Sequence, residues 1–348
     1  MASKRWVVCF IILSLVSLAV FAGIMFWSDP LIQYGKEKES FTYYNYTEMY
    51  SNPGIAKNYK YDAVLVGTSM VQNTDVKECN DLFGCDMVRL TYSGGTAYNM
   101  KAILDVCFAS ENTIDTVYWE MDPFQLFGDY NTPRFPLPEY LYEDSLLNDL
   151  SYLLNLDVFN QYTMRNILYT VRGRTQQVAR EGETFSGTFS KEAMLSTYNR
   201  PEQKQEQVSA ERYIKNVALN LDHNVIPLIE ENPDTEFVFF IVPFSMVYWD
   251  EQMRQGTFNA MIDAFEYAIE RLLEYENVKI FYYQNNWEIV TNLDNYMDLS
   301  HYGSWINSYL TQAIANEEGQ LTQENYQIVL DEVREYVHTY DFDAIFTE

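Results

Sequence analysis

Histidine is the scarcest chemistry-bearing residue in this chain: 348 residues contain three, His223, His301 and His338. Any imidazole-based mechanism therefore has few places to reside. Cysteine is nearly as rare, with Cys9, Cys79, Cys85 and Cys107, and no pair of C-x-x-C motifs is present to suggest a metal site. Glycine and proline number only 14 and 10 against 47% hydrophobic and 16% aromatic residues, which excludes disordered and fibrous classes. Cations are outnumbered as well. With 23 Lys+Arg against 50 Asp+Glu the formal net charge is −27, and a surface that repels polyanions excludes a general nucleic-acid binder. Internal repeats and low-complexity tracts are absent. What remains is a folded protein with 29 Tyr and 21 Phe to fill a core, of a length that allows one large domain or two small ones.

Charge is also missing locally. The 22 residues from Trp6 to Trp27 carry none and follow directly on Lys4 and Arg5, a run long enough to cross a bilayer core of about 30 Å. A cleaved signal peptide competes with this reading, because Val20-Phe21-Ala22 offers small residues before Gly23. The apolar run continues through Ile24-Met25-Phe26-Trp27, however, which favours an uncleaved anchor. Cations on the N-terminal flank orient the rest of the chain outward. The expected organisation is a single-pass transmembrane anchor at 1–30, a polar, Tyr-rich stalk at 31–60 that packs onto the domain, and the main extracytoplasmic domain at 61–348. Cys79 and Cys85 then lie where oxidation is possible, and both a small-loop disulfide and unpaired core thiols fit their spacing.

Beyond residue 60 short apolar runs alternate with helical segments. Tyr61–Val66, Met87–Leu90, Thr116–Met121, Glu236–Val242 and Val278–Phe281 read as strands, and Ala97–Phe108 and Gln323–Tyr340 as helices. Continuous apolar strands predict a mainly parallel five-stranded sheet covered by helices, an α/β/α sandwich of three layers. Ligands bind such sheets beyond the carboxyl ends of the strands. About 127–209 exceeds what a crossover needs and reads as a helical insertion capping those ends.

Among the histidines, His301 differs in context. It stands in Asp298-Leu299-Ser300-His301, where Asp298 can turn its carboxylate toward the imidazole, as needed to activate a serine. Ser69 is the matching candidate nucleophile. It follows the first strand in Val66-Gly67-Thr68-Ser69-Met70, where its amide and the start of the next helix would stabilise an oxyanion; an ordinary helix cap is the plain alternative. Asp122, closing the third strand, either caps the next segment or enters the site. Phe244, Tyr248 and Trp249 follow the fourth strand and form, with Asp122, the expected substrate wall. Trp119, Trp249, Trp287 and Trp305 are candidate sugar platforms, although most aromatics in such elements are core.

Taken together, Gly67-Thr68-Ser69-Met70, Ser93-Gly94-Gly95 and Asp298-x-x-His301 resemble the first, second and fifth blocks of the SGNH (GDSL-like) hydrolase superfamily. The resemblance spans about residues 61–315 and is nearest the membrane-anchored branch related to the teichoic-acid D-alanine transfer protein and the alginate O-acetylation proteins. It implies a nucleophile at Ser69, a base at His301, an orienting Asp298, and an oxyanion hole of the Ser69 amide with a glycine amide at Gly94 or Gly95. The family's third block, G-x-N-D, supplies an Asn donor to that hole. Here Glu120-Met121-Asp122-Pro123 stands in its place, so Asn73 and Asn99 are the substitute donors to consider, and Thr68 replaces the consensus Asp of the first block.

The sequence therefore leads us to expect a cell-membrane serine esterase or acyltransferase working on acyl groups of a cell-envelope polysaccharide or polymer. The resemblance implies a membrane-bound O-acyltransferase as partner, and no metal or organic cofactor is implied. The rival expectation is an inactive envelope protein of the same fold serving as a binding or assembly platform, since a −27 surface does not attract anionic polymers.

Overall fold

Short runs of β-branched and aromatic residues build a single sheet in the computed structural model, which describes residues 2–39, 41–43, 47–143, 145–174 and 184–347. Positions 40 and 44–46 of the expected stalk, and 144 and 175–183 of the expected insertion, lie outside the described residues. Strands β1 (Ala63–Val66), β2 (Met87–Arg89), β3 (Thr116–Glu120), β4 (Glu236–Ile241), β5 (Val278–Tyr282) and β6 (Gln320–Leu321) lie in the order β2-β1-β3-β4-β5-β6. The first five are parallel, with Val64 opposite both Val88 and Val117, Trp119 opposite Phe239, and Phe240 opposite Phe281. Helices bury the sheet, so the strands read as unbroken apolar runs. The expected count of five is corrected to six. β6 pairs antiparallel with β5 through Ile280–Leu321 and Phe281–Gln320, and two residues are too few to leave a hydrophobic period. Gly319 turns the chain into this edge at φ +81°, a left-handed conformation that suits glycine.

Helix α1 (Ala2–Ser28) is exposed along most of its length. Among the described residues it is the one helix long and apolar enough to cross a membrane, the property of an anchor or of a signal sequence. One face of its C-terminal end is buried, at Met25 and Ser28, and so are Asp29, Leu31 and Ile32 after it, while Phe26 and Trp27 stay exposed. Helix α2 (Glu48–Asn58) presses Gly54 onto this segment so closely that a Cβ there would sit 2.2 Å from the Leu31 carbonyl oxygen. Asn58 adds a side-chain hydrogen bond to the Ile32 carbonyl at 2.8 Å.

Helix α3 (Val76–Phe83), capped by Asp75, joins β1 to β2, and α4 (Ala97–Ala109) joins β2 to β3. After β3 come α5 (Pro123–Leu126), α6 (Glu139–Tyr142), α7 (Leu146–Leu153), α8 (Leu156–Val158), a π turn at Phe159–Thr163, α9 (Met164–Val171), α10 (Lys191–Thr197), α11 (Glu211–Asn220) and α12 (Ile226–Glu231). Helices α13 (Met246–Gln255) and α14 (Phe258–Leu272) link β4 to β5. Helices α15 (Trp287–Val290) and α16 (Ser304–Ala315) precede β6, and α17 (Tyr326–Thr339) closes the chain, burying Tyr326, Leu330, Val333 and Val337. Helix α3 packs on α16, whereas α4 contacts α12, α11 contacts α14, and α14 contacts α17. The β1–α3–β2 and β2–α4–β3 crossovers run in opposite directions across the sheet, so right-handed connections place α3 and α4 on opposite faces.

The insertion is not a simple cap over the strand ends. Its helices α6 to α8 and the π turn join the C-terminal end of α1 in a second apolar cluster of Met25, Leu31, Leu141, Tyr152, Val158 and Tyr162. The return segment before α10 is the part that reaches the site. Cys79 and Cys85 are unbridged, the first against Thr311 and the second against Asn80. His223 stacks on Tyr130 and His338 pairs with Asn259.

Candidate active site

At the carboxyl end of β1 the chain turns at Gly67, where a Cβ would lie within 2.7 Å of both Val71 and Glu120 side chains. Thr68 follows and is held on two sides. Its amide donates to Glu120 Oε2 at 2.8 Å and its hydroxyl to Asp122 Oδ2 at 2.9 Å. Ser69 then opens a single 3-10 turn, Ser69–Val71. The longer helix expected directly after Ser69 is corrected to this one turn, because Asp75 caps a separate helix at α3.

The loop after β5 supplies the other groups. Tyr296 and Tyr302 bridge antiparallel, and Met297 N–H donates to the His301 carbonyl at 3.0 Å, so Asp298–His301 forms the tip of a tight hairpin. The hairpin is tied to the β4 end by Ser245, whose hydroxyl donates to the Leu299 carbonyl at 2.7 Å, and by the Tyr296 hydroxyl on the Pro243 carbonyl at 3.0 Å. His301 Nε2 lies 2.8 Å from Ser69 Oγ, and His301 Nδ1 lies 2.8 Å from Asp298 Oδ2. Asp298 Oδ1 accepts the amides of His301 at 2.8 Å and Ser300 at 3.0 Å. Burial works to raise the Asp298 pKa, but the imidazole hydrogen bond and charge, with these two amides, overcome it and hold the carboxyl below its ordinary value. An ionised Asp298 fixes the Nδ1–H tautomer and leaves Nε2 free to accept the Ser69 proton.

The carboxyls behind the turn behave in the opposite way. Glu120 and Asp122 are both buried. Desolvation, reinforced by the neighbouring Asp122 charge, raises Glu120 well above the usual range. Desolvation likewise lifts Asp122 to about 6 against the hydrogen bonds it accepts and the nearby His301. Gln125 braces the pair, its side chain donating to the Glu120 carboxyl at 3.1 Å and its amide to Asp122 at 3.0 Å, while its oxygen receives the Trp119 indole N–H. Glu120 was not among the expected site residues; an acid ending the apolar run Val117-Tyr118-Trp119-Glu120 was its available signal.

The second loop docks on the first through Tyr92 N–H to the Gly67 carbonyl at 2.9 Å and the Ser93 hydroxyl to Gln72 at 3.3 Å. Gly94 adopts φ +62° and carries the Arg134 guanidinium directly on its face. Several expected donors are committed elsewhere. The Gly95 amide closes a turn onto the Tyr92 carbonyl at 2.7 Å. Asn99 caps α4 by accepting from the Thr96 amide and hydroxyl. Asn73 spends its side chain on the backbone of Phe185, donating to its carbonyl at 3.0 Å and accepting its amide at 2.9 Å. The amides of Ser69 and Gly94 remain from the expected set of oxyanion donors, and the bonds to Thr96 engage the Asn99 oxygen and not its NH2 group.

The substrate wall is also corrected. Phe244, Tyr248 and Trp249 are buried, Trp249 donating to Gln284, because Ser245 caps α13 and turns these rings into the core. Asp122 lies under Thr68 and caps α5, so it is no wall residue either. The rings that do border the hairpin come from the insertion and from α16. Phe185, clamped by Asn73, meets the His301 ring edge-on at 5.6 Å. Phe189 meets Trp305 edge-on at 5.1 Å, and the Trp305 ring folds over Gly303, two residues from His301. Of the four candidate Trp platforms, Trp305 is the exposed one beside the hairpin; Trp119 and Trp249 are core and Trp287 stacks on Tyr336. A cleft of about 850 Å³ lies elsewhere, lined by Lys57, Tyr98, Leu137 and Tyr142, and contains none of the Ser69 constellation. Comparison with known proteins finds no family model and no curated protein that matches this chain.

Proposed function

We propose that this protein is a membrane-anchored, extracytoplasmic serine esterase or acyltransferase acting on acyl groups of a cell-envelope polysaccharide or polymer. The observation that carries the reading is the unbroken line Asp298 Oδ2, His301, Ser69 Oγ with both links at 2.8 Å. Ser69 Oγ bonds to the acyl carbon as its proton passes to His301 Nε2. The bond to the leaving oxygen then breaks as that proton returns to it. Water or a sugar hydroxyl releases the acyl group by the reverse sequence. The amides of Ser69 and Gly94 face the developing oxyanion.

The motif order and the β2-β1-β3-β4-β5 arrangement support the resemblance to SGNH hydrolases and their three-layer α/β/α sandwich, with the site at the strand ends. Placement outside the cytoplasm rests on Lys4 and Arg5 before the apolar α1. Burial of its outer turn with the insertion, where Phe21 packs on Phe159 at 5.1 Å, supports an α1 that stays attached. Trp305 and Phe189 provide a face on which a sugar ring stacks, and an O-acyltransferase in the same membrane would supply the acyl group.

Labelling the full chain in detergent with a fluorophosphonate probe tests the reading. We expect labelling of the wild type, loss in Ser69→Ala, and turnover of aryl acetates that disappears with it. Equal labelling of both proteins with no turnover, and unchanged envelope acylation in a Ser69→Ala strain, would instead favour the non-catalytic platform.

A further inference from the structure

The insertion descends beside α1 and returns. Asp149 of α7 accepts the Tyr34 hydroxyl at 2.9 Å, and three residues on, the Tyr152 hydroxyl meets Asp29 at 3.0 Å and the Leu31 amide at 3.2 Å. At the turn, Phe159 reaches Phe21. The chain then climbs, with Thr163 beside Ser28 at 3.2 Å and Thr170 accepting the Thr42 amide at 2.8 Å. Phe21 lies seven residues before Ser28, about 10 Å along the helix axis at about 1.5 Å per residue. The tip of this hairpin, Leu154-Asn155-Leu156-Asp157, therefore sits well below the outer end of the apolar helix.

The leucines of the tip face outward, while Asn155 turns inward to the Tyr140 hydroxyl. Leu150, Leu154 and Leu156 are exposed, Leu156 at 64%, and Met164, Leu168 and Val171 continue an exposed apolar stripe up α9. The two arms differ in charge. From Val158 to Arg174 the ascending arm has three cations, Arg165, Arg172 and Arg174, and no acid, in a protein of net charge −27, whereas the descending arm from Leu146 to Asp157 has Asp149 and Asp157 and no cation. All three arginines are exposed. Asp157 in the tip turn limits penetration to the headgroup boundary, since a carboxylate is costly in hydrocarbon.

We propose that the α7–α9 hairpin is a monotopic membrane-docking element: its leucine tip enters the outer leaflet beside α1 while Arg165, Arg172 and Arg174 rest on anionic headgroups. Continuity with the apolar face of α1 and the three arginines of the ascending arm select a lipid surface as the occupant. An amphipathic element of this kind buries its apolar side about 5–10 Å into the headgroup and acyl boundary, which matches the level of Phe21. The inference rests on reading α1 as a membrane span.

The test uses the full chain with Cys9 and Cys85 replaced by Ser, reconstituted in phosphatidylcholine and phosphatidylglycerol vesicles. A bimane label is placed singly at Leu156→Cys, at Val16→Cys in mid-span and at Ile328→Cys on α17, and lipids carry a nitroxide near the headgroup or deep in the chain. The Leu156 label should lose about half its fluorescence to the shallow nitroxide, the Val16 label should respond to the deep one, and the Ile328 label to neither. Replacing the three arginines with Gln should weaken Leu156 quenching in the anionic vesicles. Val16 quenched with Leu156 unaffected overturns the docking proposal and leaves the span intact, as for a surface covered by a protein partner. Val16 unquenched overturns the span itself.

Discussion

Thr68 and Glu120 meet through a 2.8 Å hydrogen bond from the Thr68 amide to the buried carboxyl, one residue before the serine. The position of Ser69 is thus set by groups on two strands, and its reactive oxygen by a third element, the hairpin after β5.

Removing any one of the three aligned groups should abolish acyl transfer without unfolding the chain. Ser69→Ala, His301→Ala and Asp298→Asn are expected to lower kcat by roughly 10³-fold or more, with thermal unfolding near the wild type. Single-turnover kinetics with an aryl ester measure this directly. A triple variant no slower than Ser69→Ala would mark the groups as one unit.

The carboxyl pair gives a pH signature of stability. Glu120 and Asp122 titrate above their ordinary values in the folded chain, Asp122 at about 6. The native state thus retains protons that the unfolded chain has released. Their stabilising contribution is complete below about pH 4 and is lost as the pH rises through about 6 and higher. Wild-type Tm should fall between pH 5 and pH 8, and Glu120→Gln, which mimics the neutral acid, should flatten that slope. Parallel Tm profiles for the two proteins would contradict it.

Asn73 should act on the Phe185 segment before α10 rather than on the oxyanion. Asn73→Ala deletes both hydrogen bonds to Phe185, worth about 1 kcal/mol each. Hydrogen exchange at residues 184–190 should accelerate, and KM should change more than kcat. A loss confined to kcat would restore Asn73 to the list of oxyanion donors.

Gly54→Ala should be among the most damaging small substitutions outside the site. The new methyl would meet the Leu31 and Ile32 carbonyl oxygens, both backbone atoms that cannot swing aside. A cost of about 2 kcal/mol or more is expected, read as a drop in Tm of the full chain, whereas Gly84→Ala meets no atom and suffers only its left-handed φ of +69°.

What was legible in the sequence follows from range. The apolar runs at 63–66, 116–120 and 236–241 declare themselves locally, because a strand buried on both faces needs no partner to be recognised. Asp298 and His301 are three residues apart, so their pairing is a property of one turn. Ser69 and His301 are separated by 232 positions, and the rule that ligands gather at strand ends, with the order of the motif blocks, pointed one toward the other. The failures are instructive in the same way. Asn73 is chemically able to donate to an oxyanion, but the structure commits it to Phe185, 112 positions away, a neighbour that no spacing reveals. Phe244, Tyr248 and Trp249 follow a strand end and yet turn inward, because Ser245 starts a helix there. Phe185 comes from an insertion with no pattern at all.

If the proposed function holds, the burial of Met25, Ser28 and Leu31 has a further consequence for how Ser69 meets an acyl substrate. With the outer end of α1 built into the domain and locked by Gly54, no free tether separates them, so a membrane-held copy carries its serine at a constant height and bearing. Its search is planar. Substrates that present their acyl group at that altitude are sampled at each lateral encounter, whereas those held closer to or farther from the bilayer are outside its reach however abundant they are.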